Sequence, residues 1–375
     1  MAALHGKLLA LLFLLGFVSA VDSSRGLSPR TTILNGSIVV GPGSTQLTYT
    51  DSGAPADAGY ITIFTVNGMG FNAGIFSNVQ AIAPASGFRI VAVNRRGYGG
   101  STTLTDEELT TIANGTDTAR DAMFTDLGVE LLTFMDTFMQ QNSIPPVSAD
   151  RKTGGAALIG WSFGNVVSLA AISHVTSLSA DVQARLGARL RTLVLHEPAT
   201  NVLGLLAAPK NWVPQIDDTI PADIQGPAFG QWVTAYFDHG NLSTRDPNVL
   251  QYILPSFTRM PSIWNDSARI DTTLETGTNA FIDLEMLNAT PQLHADYVGS
   301  VFNDTVSAIL PNLKRWFIYG TRTASFGIYA GWVVQDNNTE LGGNVQFKVI
   351  PGVNHFIHWD EPEETLDVYH DIIDG

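Results

Sequence analysis

The chain has 375 residues, 45% of them hydrophobic, enough to fill the core of one large domain or of a domain with a sizeable insertion. Thirty-five Asp and Glu outnumber 20 Lys and Arg, and the formal net charge of -15 argues against nucleic acid and anionic membrane surfaces as partners. There is no cysteine, which excludes disulfides, thiol catalysis and zinc–thiolate sites.

Taken in chain order, Lys7, the apolar run Leu8 to Val18 and the compact residues Val18-Ser19-Ala20 predict a signal peptide over residues 1–20, cleaved after Ala20. The run is shorter than the roughly 20 apolar residues that a membrane span needs. No later stretch reads as a span, so a secreted protein with no stable membrane anchor is expected. Seven N-x-S/T sequons, at Asn35, Asn114, Asn241, Asn265, Asn288, Asn303 and Asn337, fit export as a glycoprotein. Residues 21–36 are polar and read as a loose arm.

Ser37–Val40 and Thr45–Thr50 then predict a hairpin across Gly-Pro-Gly. Tyr60–Val66 and Phe88–Val93 are β-branched and aromatic runs that read as strands, with a helical segment around Phe76–Ala83 between them. Ala119–Asn142 predicts the clearest helix, because Phe124, Leu127, Leu131, Phe134, Met135 and Phe138 form one apolar stripe. Pro145-Pro146 forbids its continuation. A short buried strand over Ala156–Gly160 and a helix from Asn165 follow. Further strands are expected at Arg191–His196, Trp316–Tyr319 and Val345–Ile350, and a last helix over Glu363–Ile373. Alternating strands and helices predict an α/β fold, a mostly parallel sheet flanked by helices. The Pro- and aromatic-rich stretch 199–311 interrupts that rhythm and reads as an inserted helical cap, leaving 37–198 and 312–375 as the core.

Gly160-Trp161-Ser162-Phe163-Gly164 matches G-x-S-x-G between a strand and a helix. That context makes it a nucleophile elbow, in which a sharp turn exposes the Ser162 hydroxyl and the glycines at 160 and 164 leave room for the neighbouring strand and helix. The helix N-terminus favours developing negative charge nearby. With this motif the chain resembles the α/β-hydrolase superfamily, specifically its capped members with a serine nucleophile, from about Ser37 to the end.

Several implications come from the resemblance. Asn67-Gly68-Met69-Gly70 resembles the His-Gly oxyanion loop, with Asn67 in place of His, so the backbone N–H groups of Met69 and Phe163 are the expected oxyanion donors. Asn94-Arg95-Arg96-Gly97-Tyr98-Gly99-Gly100-Ser101 resembles the family's D-x-R-G-x-G-x-S segment, with Asn94 for Asp, and reads as a structural turn beside the site. His355, between the last strand and the last helix, matches the family's general base; His358 is the competing candidate. The usual acid is missing, since Thr323 stands near its position. Glu197, directly after the preceding strand, is the expected substitute, with Asp336 and a dyad without an acid left as alternatives.

The expected activity is hydrolysis of a carboxylic ester or lactone of a medium-sized apolar small molecule through an acyl-enzyme, with no cofactor and no metal. A lyase or acyltransferase using the same residues is the first alternative. A catalytically silent binding protein is the second. Nothing in the sequence addresses oligomeric state.

Overall fold

The computed structural model describes residues 31–275 and 278–373; the segment read as a signal peptide and most of the polar arm lie outside the described residues. Eight strands form one sheet: β1 (Leu34–Val39), β2 (Gln46–Asp51), β3 (Ile61–Val66), β4 (Phe88–Val93), β5 (Ala156–Trp161), β6 (Leu190–His196), β7 (Lys314–Gly320) and β8 (Val345–Ile350). Their order is β1-β2-β4-β3-β5-β6-β7-β8. β1 and β2 form the expected antiparallel hairpin, β2 runs antiparallel to β4, and every later pairing is parallel. β3, β4, β5 and β6 are buried at every position, as parallel strands covered on both faces must be. Edge strand β8 is buried only at its two ends.

The predicted long helix runs Asp117–Gln141 and packs its stripe on the helix Gly164–Ser173 that follows the elbow. Gly128 permits the close approach: a Cβ there would lie 2.6 Å from the Ala170 carbonyl carbon. Three of the longer helices escaped the sequence reading. Asp106–Asn114 starts five residues past Ser101, behind a capping box in which Thr105 and Glu108 satisfy each other's backbone N–H groups. Ala180–Arg189 leads into β6. Ser325–Glu340 shows no stripe because its first ten residues are buried on several sides, Gly327, Ile328, Ala330, Gly331 and Trp332 among them.

Two boundaries need correction. The arm expected to stay loose through residue 36 is docked from Thr31, whose N–H and hydroxyl both donate to the Ala81 carbonyl, and Leu34–Gly36 already belong to β1. The insertion between β6 and β7 is also physically two things. Its last long helix, Thr290–Phe302, packs on the core helix Gly164–Ser173, and His174 at that helix's end pairs with Asp296 at 2.8 Å. Only the part before it, with helices Ala222–Val233, Ser267–Thr273 and Thr278–Met286, remains as a cap over the strand ends. Most cap aromatics form its own core: Trp232 meets Trp212, Phe229 and Phe237 at centroid distances of 5.8, 6.3 and 5.5 Å. Phe257 and Phe281 are exceptions, 88% and 53% exposed. Among the described residues no helix is long and apolar enough to cross a membrane.

Candidate active site

Ser162 sits between the end of β5 and the helix beginning at Gly164, with φ 54. Left-handed backbone costs a residue with a Cβ roughly 1–2 kcal/mol, so the surroundings must hold it there. They do so with hydrogen bonds: Ser162 N–H donates to the His196 carbonyl at 2.8 Å, and the Asn165 amide caps the carbonyls of Gly160 and Ser162 at 2.7 and 2.9 Å. The flanking glycines are sterically required. A Cβ on Gly160 would lie 2.2 Å from Ser168 Oγ, and one on Gly164 would lie 2.3 Å from the Val66 carbonyl oxygen.

Glu197 follows β6, adjacent to β5 in the sheet, and also adopts a left-handed turn with φ 49. The turn aims its carboxylate at the loops after β7 and β8. One oxygen, Oε1, accepts the Gly320 N–H at 2.6 Å; the other, Oε2, accepts the Thr323 hydroxyl at 2.5 Å and is hydrogen-bonded to His355 Nδ1. Both Glu197 and His355 are buried. Burial alone would push the Glu197 carboxyl up, but the hydrogen bond and charge of His355, the nearby His196 and the Thr323 hydroxyl outweigh it and hold the group below its ordinary value. Thr323, standing where the family usually has its acid, thus donates to the Glu197 carboxylate from the neighbouring strand. His355 Nε2 is buried and has no hydrogen-bond partner among the described residues. Trp161, the residue before Ser162, ties the two sides together: its indole N–H donates to the His355 carbonyl at 3.0 Å, and the rings lie 5.1 Å apart.

The competing candidates lie elsewhere or lack partners. His358 is buried against Phe76 and Trp161, at 4.5 and 4.7 Å, and neither ring nitrogen has a partner. Burial, with His196 and His355 nearby, pushes it well below the ordinary histidine value and keeps it neutral. His196 is likewise pushed down to about 4, chiefly by burial. Asp336 sits on the surface, paired with Arg245 at 2.8 Å. No cluster of metal-ligating side chains occurs among the described residues.

The loop after β3 explains both Asn departures. Asn67 Oδ1 accepts the Arg95 N–H at 2.9 Å while its amide donates to the Phe71 carbonyl at 2.7 Å, bracing both ends of the loop. Asn94 Oδ1 accepts the Ala73 N–H at 2.7 Å and its amide donates to Thr48 Oγ1 at 2.9 Å. The Thr48 hydroxyl proton is committed to the Gly99 carbonyl, so an ionised Asp at 94 would have no donor to offer it. Gly68 abuts Ser162, since a Cβ there would lie 3.0 Å from Ser162 Cβ. The backbone N–H groups of Met69 and Phe163 donate to no acceptor among the described residues. Met69 meets the cap through its sulfur, which accepts from the Gln215 amide at 3.8 Å. A separate cavity of about 310 Å³ lies to one side, between Leu104, Leu109 and Leu127 of the core and Ile282 and Met286 of the cap; Ser162, Glu197 and His355 do not line it.

A mostly parallel eight-stranded sheet with a serine at a left-handed strand-to-helix turn, and a buried histidine–carboxylate pair at the neighbouring strand ends, defines the class. The sequence matches the alpha/beta hydrolase family over residues 63–368, and the chain belongs to that family. Among solved structures it is similar to an esterase from Exiguobacterium antarcticum (12% identity, 90% of this chain and 98% of that one, TM-score 0.49). It is also similar to an epoxide hydrolase from Vigna radiata (12% identity, 91% and 97%, TM-score 0.49) and to Cfl2 from Burkholderia cenocepacia (14% identity, 91% and 96%, TM-score 0.50). At these identities the likeness is one of fold. No curated protein matches the sequence.

Proposed function

We propose that the protein is a secreted serine hydrolase that cleaves a carboxylic ester or lactone of a medium-sized apolar substrate through an acyl-enzyme. The observation that carries this reading is the buried Glu197–His355 pair at the strand ends beside the Ser162 turn. Glu197 fixes the proton on Nδ1, which leaves Nε2 as the base. His355 then takes the Ser162 proton as the hydroxyl oxygen attacks the carbonyl carbon. The charge that develops on the carbonyl oxygen is met by the unpartnered N–H groups of Met69 and Phe163. His355 returns the proton to the leaving alcohol, and water, activated the same way, resolves the acyl-enzyme. Hydrogen bonds of this kind are often long in free enzymes and tighten with substrate, so the open Nε2 is compatible with the role.

The apolar substrate is supported by the side chains nearest the turn: Phe163 beside Ser162, Met69 after Gly68, and Phe326, whose ring lies 5.2 Å from that of His355. The test is a panel of p-nitrophenyl esters of increasing acyl length, with lactones beside them. Wild-type turnover should rise with chain length through medium acyl groups. No turnover of any ester or lactone would remove the reading.

Export is supported by the placement of the sequons. Asn35, Asn114, Asn241, Asn265, Asn288 and Asn303 are all exposed. Asn337 is half-buried inside the helix Ser325–Glu340, its amide donating to Tyr297 Oη at 3.4 Å. Peptide mapping of the protein secreted by eukaryotic cells should find glycans among the six and none at Asn337. An unmodified protein retained in the cytosol would contradict export.

A further inference from the structure

We propose that Arg95 is the positioning residue of the oxyanion hole and that Asp283 of the cap holds it in place, an inference that rests on the serine hydrolase reading. In the motif N-R-R-G-Y-G-G-S, Arg96 takes the place of the family's arginine and Arg95 occupies a variable position. Arg95 is nevertheless the one turned inward, 5% exposed, onto the loop that follows β3.

Its contacts fall into two sets. On one side Nε donates to the Asn67 carbonyl at 2.9 Å and Nη2 to the Gly68 carbonyl at 3.1 Å. On the other, Nη1 and Nη2 form a two-pronged pair with Asp283 at 2.8 and 2.7 Å. Asp283 belongs to the cap helix Thr278–Met286 and is 2% exposed. The guanidinium also lies over the rings of Phe163 and Tyr98, 4.8 and 4.6 Å from their centroids. Tyr98 closes the circuit, donating to Asp283 Oδ2 at 2.7 Å while accepting the Gly70 N–H at 3.1 Å.

The consequence follows from peptide geometry. In a planar trans peptide the C=O and the next N–H point in opposite directions. Pinning the Gly68 carbonyl to Arg95 therefore turns the Met69 N–H the other way, and the loop already touches Ser162 at Gly68. The same guanidinium packs on the side chain of Phe163, the second donor residue. One side chain thus sets both halves of the hole. It can stay there only as a paired ion, because a buried guanidinium without a counter-charge is strongly unfavourable. The counter-charge comes from the cap, so the hole is complete only with that cap helix seated.

The test uses the full-length protein and three substitutions: Arg95→Met, which keeps the bulk and removes the donors, Asp283→Asn, which keeps the shape and removes the charge, and Tyr98→Phe. Two quantities are read: kcat and KM on the best p-nitrophenyl ester, and Ki for a trifluoromethyl ketone, whose tetrahedral adduct on Ser162 places an oxyanion in the hole. Arg95→Met should lower kcat by about 10²–10³-fold, the range seen when one oxyanion donor is lost, with KM within a few-fold and Ki raised in parallel with the fall in kcat/KM. Asp283→Asn should move the same quantities in the same direction by a smaller factor, as should Tyr98→Phe. If Arg95→Met does not fold, the two milder variants decide. Near wild-type kcat and Ki in the folded variants, or losses confined to KM, would overturn the proposal while leaving the hydrolase reading intact. A wild-type protein that neither turns over esters nor binds the ketone would instead remove the hydrolase reading itself.

Discussion

Glu197→Gln is expected to lower kcat on an ester substrate about ten-thousandfold, with KM little changed. The magnitude follows from the direction in which the new amide must point. Gly320 N–H donates to Oε1, so the amide oxygen will occupy that position. The NH2 group then takes the place of Oε2, where Thr323 and His355 Nδ1 now meet the carboxylate. An NH2 there donates to Nδ1, which forces the imidazole proton onto Nε2. A histidine with its proton on Nε2 cannot remove one from Ser162. Steady-state kinetics on Glu197→Gln, with Asp336→Asn as control, checks this. Asp336→Asn should be unchanged, because that carboxylate sits on the surface beside Arg245. Near-full turnover in Glu197→Gln with loss in Asp336→Asn would reverse the assignment.

Ser162→Gly should separate function from strain. Loss of the nucleophile is expected to lower kcat by about a millionfold, as removal of the serine of such a unit does elsewhere. Stability should move the other way. The left-handed turn at φ 54 costs a residue with a Cβ roughly 1–2 kcal/mol. Glycine removes that cost but gives back part of it, about 0.5–1 kcal/mol, in unfolded-chain entropy. The net gain is up to about 1.5 kcal/mol, or a rise of at most about 2 °C in Tm for a chain of this size. Ser162→Ala should lose activity equally and gain nothing from this source, because its Cβ keeps the strain. Calorimetry on the three proteins gives the comparison. A Gly variant less stable than the Ala variant by the full entropic cost of about 0.5–1 kcal/mol would show that the turn stores no strain.

The fold was legible wherever burial leaves a pattern. β-branched runs bounded by glycine and proline marked the strands, and one apolar stripe marked the helix Asp117–Gln141. The helix Ser325–Glu340 was missed because burial on several sides erases the stripe that periodicity relies on. The helix Thr290–Phe302 was assigned to the cap because chain position, not packing partner, is what a sequence displays.

In the candidate site, placement was legible where a motif fixes a residue to an element end: Ser162 between strand and helix, His355 after the last strand. Glu197 was legible only as a carboxylate at a strand end. Its left-handed turn and its three partners, from the loops after β7 and β8, are products of the fold. Thr323 read as a missing acid, and in the structure it donates to the Glu197 carboxylate. Arg95 and Asp283, 188 residues apart, carried no signal, since nothing in either neighbourhood announces the other.

The most direct measurement is labelling with a fluorophosphonate, followed by mass spectrometry of the intact protein and of its peptides. One equivalent should add, on the peptide that contains Ser162, at a rate cut sharply in Glu197→Gln and to nothing in Ser162→Ala. A folded wild-type protein that takes up no label, or takes it up at another residue, would contradict the account.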